Sequence, residues 1–122
     1  MNTYLFLAAG TSALVCLLHI FGGGPQVVGP LLKSEMADVP KYLNYYCWHL
    51  VTLTIVLMAT GFLLAGLNPN ERMLALLMTL LAGSFAIWSL SLLLWKRQPL
   101  WGMPQWLLFL PVAAFGSLGL WA

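Results

Sequence analysis

Four long stretches of this chain, residues 4–21, 45–67, 73–95 and 101–121, contain no aspartate, glutamate, lysine or arginine. Few folds tolerate that. A helix that crosses the hydrocarbon core of a bilayer needs about 20 mainly apolar residues. A transmembrane barrel strand needs only about 9 to 11, with polar and apolar residues alternating. The four stretches are longer than that and do not alternate, so each predicts a transmembrane helix.

The rest of the chain is too poor in charge to cover such helices in water. Five Lys/Arg and three Asp/Glu make up 7% of the 122 residues, whereas a soluble domain is about a quarter charged. That argues against a soluble enzyme, a disordered chain, and a nucleic-acid-binding module with its basic face. The expected partners are membrane lipid and further copies or subunits of a membrane complex, with no nucleic acid. The fold class that follows is an all-α integral membrane protein: one domain over residues 1–122, built as an antiparallel four-helix transmembrane bundle.

The connections differ in length. Asn68-Pro-Asn-Glu-Arg72 and Lys96-Arg-Gln-Pro-Leu100 read as tight turns. Residues 22–44 are longer and hold Gly22-Gly23-Gly24-Pro25 and Gly29-Pro30, a composition expected to end helix 1. The apolar residues Val27, Val28, Leu31 and Leu32 predict that this loop lies in the interface or re-enters the membrane. Asp38 is placed to cap the next helix, with Pro40 in its first turn. In the fourth span Pro111 lacks an N–H and should kink the helix, and Pro104 makes its start the least defined boundary.

Lys33, Lys41, Lys96 and Arg97 all fall on one side of such a bundle, with Arg72 alone on the other. Short loops rich in Lys and Arg stay cytoplasmic. The reading is therefore a bacterial cytoplasmic-membrane protein with both termini on the non-cytoplasmic side. The first span has no basic residue before it and no small-residue cleavage site, so it is expected to remain as a helix and not act as a cleaved leader.

No catalytic motif is visible: there is no Walker loop, no G-x-S-x-G, no H-E-x-x-H and no intramembrane carboxylate pair. What stands out is the pair of histidines. His19 lies near the end of helix 1 and His49 about one turn inside helix 2, at similar depth on the same side. An ionisable group in a span normally faces the bundle and has a partner. His19 continues a seam through Cys16, Ser12 and Ala8, and His49 belongs to one through Tyr45, Thr52, Val56 and Thr60.

Three roles fit these residues. The first is a structural lock between helices 1 and 2, in a non-catalytic membrane subunit or scaffold. The second is a metal or haem site at His19 and His49, with Cys16 as a further metal ligand. It requires the ring nitrogens about 2 Å from the ion and within about 4 Å of each other. The third is a mouth for a quinone, sterol or lipid headgroup formed by His49 with Tyr45, Tyr46 and Trp48. Small residues four apart, at Gly61/Ala65, Ala82/Ala86 and Ala113/Ser117, predict where helix backbones approach closely.

Overall fold

The computed structural model describes all 122 residues and is entirely helical, with no strand. Helix α1 runs Thr3–Lys33, α2 Asp38–Leu67, α3 Arg72–Trp95 and α4 Gln105–Trp121. The first three, counting the 3₁₀ turn Pro69–Glu71 that leads into α3, are long and apolar enough to cross a membrane; α4 is a shorter apolar helix.

The expected loop over residues 22–44 is not a loop. Helix α1 continues to Lys33 through a π-helical stretch, Leu18–Val28, and only Ser34–Ala37 separates it from α2. Glycine costs about 1 kcal/mol in a helix, which is less than leaving backbone N–H and C=O groups unpaired in apolar surroundings. Widening the helix to i→i+5 bonding accommodates Pro25, which has no N–H to give and whose ring would crowd a regular α turn. Gly23 has a packing reason to be glycine: a Cβ there would sit 2.7 Å from Cη2 of Trp48. The chain stops at Ser34, whose N–H and hydroxyl both donate to the Leu31 carbonyl. Ala37 is the N-cap of α2 and Asp38 its first residue, one position from expectation.

The fourth helix begins at Gln105, not at residue 101. Pro104 disfavours helical backbone at Met103, and Trp101–Pro104 forms turns instead. Trp106 Nε1 donates to the Leu100 carbonyl at 3.0 Å and closes this connection. Helix α4 then runs unbroken past Pro111, which lies on its exposed side. At the end of α3, Gln98 N–H reaches the Leu93 carbonyl and Arg97 N–H the Leu94 carbonyl. This Schellman-type closure puts Arg97 in the left-handed region, at φ 51°.

Helix α1 packs against α2 and α4, α4 packs against α3, and the α2–α3 contact is sparser. Asn2 ties one end together. Its N–H donates to the Gly66 carbonyl of α2, its side-chain amide donates to the Gly119 carbonyl of α4 at 2.7 Å, and its side-chain oxygen accepts from Leu5 N–H. The start of α1 thus lies beside the last turns of α2 and α4.

The core is narrow and made largely of small residues. Only 21 of 122 residues are buried, among them Ala8, Ala9, Ala65, Ala75, Ala82 and Ala86, while most leucines face outward. Gly61/Ala65 and Ala82/Ala86 are buried as expected, but Ser117 is exposed. On α4 the close approach is made by Gly116 and Gly119, where a Cβ would meet Phe62 and Leu5 respectively. Most Ser and Thr hydroxyls in the helices are satisfied internally: Thr11, Ser12, Thr52, Thr54, Thr60, Thr79, Ser84 and Ser117 each donate to the carbonyl four residues back. An outward-facing hydroxyl bonded in this way imposes no polar cost on an apolar surrounding.

Candidate functional site

Helix α1 turns Ala8, Ser12 and Cys16 into the core at intervals of four, and His19 follows them at its half-buried edge. Across from it, the inward face of α2 runs through Trp48, Thr52, Ile55, Met58 and Phe62. His19 meets this face at its upper end. Its ring stacks on the Trp48 indole, with centroids 3.9 Å apart and planes 19° from parallel. Its Nε2 lies 2.9 Å from Thr52 Oγ1 and 3.4 Å from the Trp48 carbonyl oxygen.

The hydrogen-bond directions follow from Thr52. Its hydroxyl donates to the Trp48 carbonyl at 3.2 Å, and the same carbonyl oxygen, which can only accept, lies 3.4 Å from His19 Nε2, so Nε2 carries the hydrogen and the Thr52 oxygen accepts it. His19 therefore donates from Nε2–H to Thr52, and in the neutral ring Nδ1 keeps its lone pair. Directly beyond the stack, Gly23 presses its backbone against the far edge of the same indole. His19, Trp48, Thr52 and Gly23 together form one interlocked contact between α1 and α2.

His49 is elsewhere. One residue on from Trp48, it points about 100° around α2, is exposed, and packs edge-on against Tyr45 with centroids 4.6 Å apart. No hydrogen bond or ring contact joins it to His19. Of the predicted α2 seam, Tyr45 and Thr52 are half-buried while His49, Val56 and Thr60 face outward, and Tyr46 beside it is exposed. Cys16 is buried one turn below His19, and Cys47 is exposed. No three His, Cys, Asp or Glu side chains gather where they could hold a metal ion.

Next to the lock is a cavity of about 260 Å³ at the junction of α1, α2 and the first turns of α4. His19, Gln26, Trp48 and Gln105 contribute its polar groups; Val15, Leu18, Ile55, Leu108 and Phe109 are among its apolar walls. Sequence reasoning missed Gln26 and Gln105, the first because it was assigned to a loop, the second because it was placed inside a span. The signal available was that they are rare uncharged amides within apolar sequence. No protein-family model, curated protein or solved structure matches the chain, so the geometry alone carries the functional argument.

Proposed function

We propose that this protein is a small polytopic membrane protein, an antiparallel four-span bundle that serves as a non-catalytic subunit or scaffold, with His19 keying α1 to α2. The observation that carries this reading is how His19 is used. The one histidine on the inward side of a span has its Nε2 bonded to Thr52 and one ring face covered by Trp48. A lock of this kind fixes rotation and register of the helix pair, which van der Waals contact between alanines and glycines defines weakly. Apolar helices with outward leucines and self-satisfied hydroxyls support the membrane setting.

Helix lengths support a bilayer placement. At 1.5 Å per α-helical residue, and less through the π-helical stretch, α1 is more than about 40 Å long and α4 about 25 Å, against a hydrocarbon core of about 30 Å. With the Asn2–Gly66–Gly119 end at one interface, His19 falls near the other. Lys33, Lys41, Lys96 and Arg97 then lie on the His19 side, which the positive-inside rule makes cytoplasmic.

The test is assembly in a mild detergent. A subunit or scaffold migrates on a native gel as a discrete complex larger than one chain in its micelle. His19→Ala should keep the protein inserted yet disperse or weaken that complex. Migration of the wild type as a single chain, or a complex indifferent to His19→Ala, would overturn the reading.

A further inference from the structure

The cavity beside His19 has a lining that selects for one kind of occupant. No Lys, Arg, Asp or Glu lies among its thirteen residues. The cavity is open on one side, with Gln26 and Gln105 at its exposed rim, and an anionic headgroup or a metal ion entering it would find no countercharge in the lining. Yet the lining is not purely apolar. Among its side chains only His19 makes hydrogen bonds within the chain. The amides of Gln26 and Gln105 and the indole N–H of Trp48 make none, and His19 retains an Nδ1 lone pair. That is a set of neutral donors and acceptors above a floor of Val15, Ile55, Leu108 and Phe109.

Its place in the fold explains why such a cavity exists. Helix α4 begins at Gln105, whereas α1 and α2 continue past it to Lys33 and back from Asp38. The missing turns of α4 leave the α1–α2 face uncovered at the height of His19. In the bilayer placement given above this is the level where hydrocarbon meets headgroup. A second, more open groove of about 400 Å³, lined by Val27, Leu31, Met36 and Cys47, shares Trp48 and Val51 with it.

We infer that this cavity binds an uncharged lipid whose head carries hydroxyl or carbonyl groups, the chemistry shared by a quinol and an acylglycerol. The head exchanges hydrogen bonds with Gln26, Gln105 and His19, and the apolar body lies over Leu108 and Phe109 toward the bilayer. The site shares His19 and Trp48 with the helix lock, but Gln26 and Gln105 take no part in the His19–Thr52 contact, so variants of the two glutamines test the site alone.

The experiment uses the purified full chain in detergent, titrated with decylbenzoquinol, with monoolein and, as a charged control, with lysophosphatidic acid. Binding is read as probe retained through gel filtration and as a rise in melting midpoint. At least one uncharged probe should bind saturably, which identifies the source, and the charged one should not. Gln26→Leu and Gln105→Leu, whose circular dichroism should match wild type, should each weaken that binding roughly fivefold, and the double variant more than tenfold. Equal binding by the double variant, equal binding of lysophosphatidic acid, or no saturable binding of either neutral probe would overturn the inference. Failure of the lock is read separately, from the denaturation of His19 variants.

Discussion

Replacing His19 with phenylalanine keeps a ring against Trp48 and removes one hydrogen bond. Thr52 is not orphaned by the change, because its hydroxyl already donates to the Trp48 carbonyl. The loss is therefore the net worth of one bond. Interhelical hydrogen bonds in membrane proteins average about 0.6 kcal/mol and reach about 1.7, so His19→Phe should cost about 1 kcal/mol. His19→Ala also removes the 3.9 Å stack, worth about 0.5 to 1.5 kcal/mol, and leaves a void beside Gly23, for a total of about 2 to 3 kcal/mol. Thr52→Val strips the acceptor and should cost about 1 kcal/mol. Combined with His19→Phe it should cost little more than either change alone, a coupling of about 0.5 to 1.5 kcal/mol. His49→Ala is the control: its edge contact with Tyr45 is exposed, and the cost should stay below about 0.5 kcal/mol. Denaturation of the purified protein in mixed micelles with increasing sodium dodecyl sulfate measures all five variants. If His19→Phe and His49→Ala prove indistinguishable, or the His19–Thr52 coupling is below about 0.3 kcal/mol, the lock does not exist.

Other expectations follow from packing, capping and charge. Gly116→Ala places a methyl 3.0 Å from Phe62 Cε1 and against the Thr79 hydroxyl; the same denaturation assay should show a loss of about 1 to 3 kcal/mol. Gly83→Ala meets nothing within 4 Å and should gain up to about 1 kcal/mol through helix propensity, so the two changes should move in opposite directions. Arg97 holds a left-handed conformation at φ 51°, and Arg97→Gly should stabilise the end of α3 by about 1 kcal/mol in that assay. Fusions to the C-terminus should be active as exported phosphatase and dark as cytoplasmic fluorescent protein; the opposite pattern would invert the proposed orientation.

The helical class, four helices and most of their ends were readable from residue types, because they depend on local quantities. A stretch without charge over twenty residues has few other states, and the turn at Asn68–Arg72 is set by its own proline and asparagine. The helix start near Asp38 was readable for the same reason. Residues 22–33 were misread because glycine and proline act there against a context that composition does not reveal. Trp48 covers Gly23, and a π-helical widening carries the chain past Pro25. The first lies far from the glycines in sequence, and the second keeps helical a glycine-proline stretch whose residue types read as a break.

The site divides along the same line. That His19 would face inward with a polar partner on α2 follows from the cost of an unpartnered imidazole in an apolar span, and Thr52 stood on the predicted seam. Which residue it met was another matter. A helix rotated by one residue turns its face by about 100°, and that rotation is decided by how alanines and glycines of four helices nest together. In the tertiary structure the nesting brings Trp48 under the His19 ring and leaves His49 outside beside Tyr45. Pro104 sets the start of α4 at Gln105 locally, but only the packing of that start against α1 and α2 opens the cavity between three helices. The sequence by itself determined where the apolar helices lie and that they carry a polar seam; only packing decided which groups share it, because azimuth and register belong to no helix alone.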